Sequence, residues 1–156
     1  ENPYMSAEAR VKELGLDLSN PAGPIANYVA AVTTGKLVYL SGKGPTGPDG
    51  TMMAGKVGKD LTTEEAYEQA KLVCIQLLAA LRAHVGSLDN VTQVIKLLGM
   101  VNCTPDYADQ PAVINGCSDL LVEVFGEAGK HARSAVGMGS LPGQIPVEIE
   151  MIVEIK

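Results

Sequence analysis

The C-terminal segment of the chain alternates apolar and polar positions with the period of a β-strand. Its apolar positions are Val147, Ile149, Met151, Val153 and Ile155, and the residues between them are Glu148, Glu150, Ile152 and Glu154. Successive side chains of a strand point to opposite faces of a sheet. The alternation therefore predicts a strand with one apolar face and one largely polar face.

The segment before it predicts a second strand that begins with an arginine. Arg133 shares one face with three small residues, Ala135, Gly137 and Gly139. A loop at residues 141–143 separates the two strands, so the simplest prediction is an antiparallel pair. Small neighbours leave room above a sheet, where a guanidinium can bind a carboxylate through two parallel hydrogen bonds. The alternative, which spacing alone favours, is an arginine paired with a glutamate at a sheet edge.

Two long segments have the apolar period of a helix. Residues 62–86 begin with Thr62 and Glu65 at capping-box spacing, and residues 109–129 begin with Asp109 as a candidate N-cap. The predicted buried stripes are Ala66, Ala70, Val73, Leu77 and Leu81 in the first helix and Val113, Cys117, Leu120 and Val124 in the second. Stripes of this kind predict helices that pack one face against a sheet.

The other strand predictions rest on β-branched and aromatic runs. Residues 28–34 and 36–41 predict a β-hairpin that turns near Gly35. Residues 91–103 predict a mostly apolar strand, and a short strand is expected at residues 56–58. Strands and long helices in this order predict an α+β fold with the helices on one face of the sheet.

The N-terminal region predicts a short helix followed by a linker. Ser6 is a candidate N-cap for an amphipathic helix, and residues 20–24 have the composition of a linker. We interpret the helix as a packing element, and the alternative is a lid over a cleft. Residues 1–4 are expected to be a processing remnant because the chain starts with Glu1.

Composition predicts one soluble domain in the cytoplasm. The chain of 156 residues is 46% apolar and 19% charged, which is typical of a compact globular protein. Its three cysteines, Cys74, Cys103 and Cys117, have no CxxC spacing and lie in apolar segments. Reduced core thiols are therefore expected. No apolar run reaches the length of a membrane span, so no membrane partner is expected.

Charge and motif content disfavour a nucleic-acid ligand and a metal site. The net charge is −6, and the basic residues are scattered, whereas nucleic-acid binders cluster them to neutralise phosphates. The chain has only two histidines, His84 and His131, and no HExxH motif. We therefore expect no bound metal and no nucleic-acid partner.

Two blocks of sequence resemble the reactive intermediate (enamine/imine) deaminase family, also called YjgF-like or L-PSP endoribonuclease-like. The C-terminal block consists of Ala132-Arg133-Ser134, Leu141-Pro142 and Val147-Glu148-Ile149-Glu150. The N-terminal block consists of Tyr28 to Val32, Gly35 to Tyr39, Ser41-Gly42 and Pro45. The resemblance covers the chain from about Pro24 to its C-terminus. The first twenty residues fall outside it, so the chain resembles a longer subgroup of the family.

The resemblance implies a chorismate-mutase-like fold, a β-sheet with two long helices packed on one face. It further implies a homotrimer with ligand clefts between subunits. On this basis residues 1–23 are an N-terminal helical extension and linker, and residues 24–156 are the deaminase-like domain. Neither the trimer nor the cleft follows from periodicity.

The activity that the resemblance implies is hydrolysis of small 2-enamine or 2-imine carboxylates to 2-keto acids and ammonia. Such a substrate is already electrophilic, so the reaction needs a carboxylate anchor, a positioned water and proton transfer, without a cofactor. One alternative is a module that binds or senses a small carboxylate without turnover. Another is the endoribonuclease, or translation inhibitor, of the older family label, which the acidic charge disfavours.

Two residues match catalytic positions of the family. Arg133 matches the arginine that binds the substrate carboxylate, and Glu148 matches the carboxylate linked to water orientation or proton transfer. Glu150 is the next residue on the same face of the strand, so like-charge repulsion is expected to raise the pKa of Glu148.

Four further residues match positions that contact the substrate. Tyr28 matches an aromatic contact, Ser41 the hydroxyl beside it, and Asn115 an amide near the pocket. Ala135 stands where many members have cysteine, which excludes a thiol role but leaves a backbone carbonyl there. His131 replaces a common proline, and of its two interpretations, tuning the pocket or capping a loop, we favour the loop.

Overall fold

The computed structural model describes residues 5–23 and 27–156. Over these residues the chain forms three α-helices and five strands. They are α1 Ala7–Glu13, β1 Ala31–Thr34, β2 Leu37–Lys43, α2 Thr63–Val85, β3 Val91–Asn102, α3 Gln110–Phe125, β4 Ala132–Met138 and β5 Val147–Ile155. The α+β prediction is confirmed. The processing remnant at residues 1–4 and the predicted domain boundary at residue 24 lie outside the described residues.

The five strands form one mixed sheet in the order β1-β2-β5-β3-β4. All neighbouring strands are antiparallel except β3 and β4, which are parallel. The predicted pairing of the Arg133 strand with the C-terminal strand is therefore wrong, because β3 lies between them. The connection at residues 139–146 is long enough to cross the end of β3. Its crossing is held by Asn102, which is fully buried and donates to the carbonyl of Ile145 at 3.2 Å.

Helices α2 and α3 cover one face of the sheet. The side chains of Leu97, Val101, Ile149 and Val153 on that face are completely buried. The capping box that begins α2 is formed as predicted: the backbone N–H of Glu65 donates to Thr62 Oγ1, and that of Thr62 donates to Glu65 Oε1, each at 3.1 Å. These contacts satisfy two backbone donors that a helix start leaves open.

The core also holds the three thiols and the N-terminal helix. All three cysteines are free and buried, as predicted. Ser6 caps α1, whose Val11 is 4% exposed and belongs to the common core. Arg10 Nε donates to the carbonyl of Glu123 at the C-terminal end of α3. These contacts support the interpretation of α1 as a packing helix.

Two details of the predictions differ from the structure. The strand expected at residues 56–58 is reduced to isolated bridges of Val57 with Leu61 and with Cys103. Asp109 precedes α3 in the N-cap position, but its side chain makes no capping hydrogen bond. Pro111 in the first turn favours the helix start in its place, because its fixed φ suits that position.

Candidate functional site

Arg133 lies near the start of the edge strand β4, on the face of the sheet that the helices cover. It is paired in register with the completely buried Leu97 of β3. Its Nη1 donates to Asn115 Oδ1 at 2.8 Å and to Ser118 Oγ at 3.1 Å, both from α3. Asn115 and Arg133 are thus in direct contact, and the role of Asn115 near a substrate stays a prediction.

The guanidinium of Arg133 has no ionic partner in the part of the chain that the structure describes. Salt bridges there join Arg10 to Glu13, Arg82 to Glu8 and Lys130 to Glu127. The ion pair between an edge arginine and a glutamate, which was the alternative prediction, is therefore not formed among the described residues. Because the hydrogen-bond partners of this half-exposed arginine are neutral, no carboxylate among the described residues offsets its positive charge, and the guanidinium can bind an anion.

Of the small residues that share a face with Arg133, Gly137 does not leave open space above the sheet, whereas a Cβ on Gly139 would meet no heavy atom within 4 Å. A Cβ on Gly137 would lie 2.9 Å from Gln110 Nε2, and one on Gly99 would lie 2.6 Å from Ile114 Cδ1. The room that small side chains provide is thus filled by α3, which approaches the sheet closely here. Ala135, paired with Gly99, is half-buried against the same core. The open space expected above the sheet is therefore absent at Gly137 and Gly99.

Glu148 lies on the opposite face of the sheet. It is paired with Met100, which is three residues beyond Leu97 on β3 and therefore points the other way. Its carboxylate lies over the backbone of Gly42, where an added Cβ would come within 2.6 Å of Oε2. Burial raises the pKa of Glu148, and the charge of Glu150 adds to the rise. The predicted effect of Glu150 is thus present, although burial is the larger cause.

Ser41 and Tyr28 lie near the same end of the sheet as Glu148. The Ser41 hydroxyl donates to the carbonyl of Val29 at 2.7 Å, so it fixes the segment that carries Tyr28. Tyr28 itself is 45% exposed. Ser41 also lines a depression of about 410 Å³ on this face, together with Lys96 and Glu150. The hydroxyl proton of Ser41 is already used, which leaves its oxygen as an acceptor.

The predicted site residues thus form two groups that one chain keeps apart. The arginine group consists of Arg133, Asn115 and Ala135 on the helix-covered face. The glutamate group consists of Glu148, Ser41 and Tyr28, of which Glu148 and Ser41 lie on the open face. The sheet stands between Arg133 and Glu148, so these two side chains cannot contact one substrate from within a single chain.

Sequence reasoning missed two contacts of these groups. Ser118 follows Asn115 by three residues and so shares its helix face, a spacing that could have indicated the contact with Arg133. Gly42 belongs to a matched motif, but no local pattern indicates that Glu148 would lie against it. His131 contacts both Gly129 and Ser118, so it caps the loop and also reaches the arginine group.

The described part of the chain contains no cluster of three or more histidine, cysteine, aspartate or glutamate side chains suited to a metal ion. Among the helices that the structure describes, none combines the length and apolar character that crossing a membrane requires.

Comparison with known families identifies the family of this chain. Residues 8–148 match the family model described as "YjgF/chorismate_mutase-like, putative endoribonuclease". The protein belongs to this family. The match extends over both site groups and includes most of α1. The resemblance drawn from the two sequence blocks is therefore confirmed at the level of the family.

Three proteins are similar to this chain over most of its length. Protein TCP17 of Trypanosoma cruzi is 39% identical over 94% of this chain and 92% of its own length. A 2-iminobutanoate/2-iminopropanoate deaminase of Dermatophagoides farinae is 29% identical over 85% of this chain and 89% of its own. The crystal structure of E. coli TdcF with bound serine superposes with a TM-score of 0.62 at 25% identity, covering 90% of this chain and 96% of that one.

The environment of Glu148 leads to a prediction about stability. Because its folded pKa lies above the ordinary value of 4.5, ionised Glu148 destabilises the folded state. We expect Glu148→Gln to raise Tm at neutral pH. The gain should shrink as the pH falls through the folded pKa towards 4.5, since the carboxyl group is then neutral in the folded protein too.

Thermal unfolding followed by circular dichroism between neutral pH and about pH 4.5 measures this gain. The matched control is Glu68→Gln on the exposed side of α2, which should show a much smaller change. A gain at Glu148 that grows on acidification would contradict the prediction.

Proposed function

We propose that the protein hydrolyses small 2-enamine and 2-imine carboxylates to 2-keto acids and ammonia. The observation that carries the proposal is Arg133, a charged guanidinium oriented by Asn115 and without an ionic partner among the described residues. A deaminase of this substrate class among the relatives supports it, as does the amino acid bound to TdcF, since serine also carries a carboxylate.

In the proposed reaction Arg133 binds the substrate carboxylate through two parallel hydrogen bonds. Water adds to the C=N carbon of the imine, and the carbinolamine that forms releases ammonia and leaves the keto acid. Glu148 positions the water or exchanges its proton. A raised pKa suits this role, because the carboxyl group can then carry a proton closer to neutral pH.

We further propose that the site is assembled between two copies of the chain in a homotrimer. A site that needs both Arg133 and Glu148 requires a second copy, because the sheet separates the two side chains within one chain. The open face of the sheet offers a surface for that copy, since Val32 is 55% exposed and Tyr39 is 44% exposed. Apolar groups of this size on a sheet face favour association.

A second candidate function is binding of the same carboxylates without turnover. Ala135 supports it, because many family members have a cysteine at this position and this chain has no thiol there. Both functions use Arg133 to bind the carboxylate, and they differ in whether the bound molecule is hydrolysed. The endoribonuclease alternative has less support, because the net charge of −6 opposes phosphate binding.

The test is a coupled assay. The protein is added to an enzyme that generates 2-aminoacrylate, and keto-acid release is compared with the rate in buffer. We expect acceleration by the wild-type protein, its loss in Arg133→Ala and its retention in Arg10→Ala, a change at an arginine that lies against Glu13 and α3. Calorimetry with 2-oxobutanoate separates the two candidates, since binding without acceleration identifies the non-catalytic module. A protein that does not bind 2-oxobutanoate and does not accelerate keto-acid release would contradict both candidate functions.

A further inference from the structure

The direction of each hydrogen bond around Arg133 follows from which atoms can donate a proton and which can only accept one. His131 lies with Nδ1 2.6 Å from the carbonyl oxygen of Gly129 and with Nε2 2.9 Å from Ser118 Oγ. A carbonyl oxygen can only accept, so Nδ1 carries the proton, and Nε2 of the neutral ring is an acceptor. The Ser118 hydroxyl therefore donates to His131 and presents a lone pair to Arg133 Nη1.

The neutral form of the ring is consistent with its surroundings. Burial lowers the pKa of His131, and the positive charge of Arg133 acts in the same direction, while the hydrogen bond to Gly129 opposes both. Arg133 is the charged group that acts on the ring here, since Ser118 and the Gly129 carbonyl are uncharged.

The two hydrogen bonds from Arg133 Nη1 account for both hydrogens of this nitrogen. This nitrogen has two hydrogens, and Asn115 Oδ1 at 2.8 Å and Ser118 Oγ at 3.1 Å accept one each. Three donors of the guanidinium remain, one on Nε and two on Nη2. Nε–H and one Nη2–H run parallel on the side edge of the group, which is the geometry that a carboxylate accepts in two bonds.

We propose that Ser118 and His131 are positioning residues that orient the side edge of Arg133, its Nε and Nη2 donors, towards the substrate carboxylate. The proposal rests on the proposed function, in which Arg133 is the carboxylate anchor. A long flexible side chain loses rotamer freedom on binding a ligand, and holding it beforehand reduces that loss. The relay runs from the Gly129 carbonyl through His131 and Ser118 to Nη1.

The first test is substitution of Ser118. We expect Ser118→Ala to raise KM, and the Kd for 2-oxobutanoate, about tenfold with kcat within about twofold, because uniform binding is lost. Ser118→Thr retains the hydroxyl and should restore both values to within about threefold. The matched control is Thr33→Ala, which removes a hydroxyl that also lies against a histidine, His84, at 2.7 Å. It should leave KM and kcat unchanged.

The second test observes the two histidines directly by nitrogen-edited NMR, which needs no activity. The free protein should show His131 as the Nδ1–H tautomer. Saturation with 2-oxobutanoate should raise the pKa of His131, because the bound carboxylate neutralises Arg133. The ring nitrogen signals of His84 serve as the control and should not move on binding.

Two results would overturn the relay alone. One is an Nε2–H tautomer of His131; the other is a Ser118→Ala variant with wild-type KM and Kd while Arg133→Ala no longer binds. Failure of the wild-type protein to bind 2-oxobutanoate is a different result, because it would overturn the proposed function and with it the carboxylate role of the relay.

Discussion

Two inactive variants, Arg133→Ala and Glu148→Gln, are expected to regain activity when they are unfolded together and refolded as a mixture. Each variant alone should lose about 100-fold or more in kcat/KM, since one lacks the carboxylate anchor and the other the proton-transfer group. The sheet separates these side chains in one chain. In a mixed assembly, an intact Arg133 from one copy can meet an intact Glu148 from its neighbour.

The size of the recovery follows from random assembly. A complete site needs the Glu148→Gln copy on the arginine side and the Arg133→Ala copy on the glutamate side, each with a chance of one half. About one quarter of the wild-type activity should therefore return in an equimolar mixture. Keto-acid release from 2-aminoacrylate measures it.

The control replaces one partner by the double variant, Arg133→Ala with Glu148→Gln. No combination of the double variant with either single variant contains a complete site, so no recovery is expected. The idea of a shared site would fail if mixed assemblies form, shown by a mass tag on one variant, and yet remain inactive.

Replacing Gly116 by alanine is expected to cost about 3 kcal/mol of unfolding free energy and to lower Tm by roughly 6–12 °C. A Cβ at this position would overlap the carbonyl oxygen of Tyr67 on α2 and lie 3.2 Å from the Ala70 side chain. The two helices would have to move apart. Alanine favours a helix over glycine by about 1 kcal/mol, so intrinsic propensity alone would change Tm in the opposite direction.

Urea unfolding and thermal scans of Gly116→Ala measure the cost. Gly139→Ala is the matched control, because a Cβ there meets no heavy atom within 4 Å and the backbone has no positive φ. It should shift Tm by about 1 °C or less. A Gly116→Ala variant that is as stable as the control would show that the helices can repack at no cost.

The helices and β3 could be predicted because their signals are local. The capping box at Thr62 and Glu65 and the apolar stripe of α2 depend on residues close in the chain. The order of the strands does not. Alternation along β4 and β5 shows which residues share a face within each strand, but not that β3 separates the two strands. The relative faces of Arg133 and Glu148 therefore could not be derived from alternation.

The family resemblance names candidate site residues, whose roles stay predictions, but it does not indicate contacts that depend on packing. Arg133 and Asn115 were both predicted, and the structure brings them together at 2.8 Å. The filled space above Gly137 depends on how closely α3 approaches the sheet, which only the assembled fold shows. The role of Ser118 depends on the same approach.

The separation of Arg133 and Glu148 on opposite faces of the sheet has a consequence for when the protein becomes active after synthesis. In the proposed assembly, a newly synthesised chain has no working centre of its own, however well it has folded. Turnover begins only once copies have met, so the onset of the chemistry reports that association has been completed.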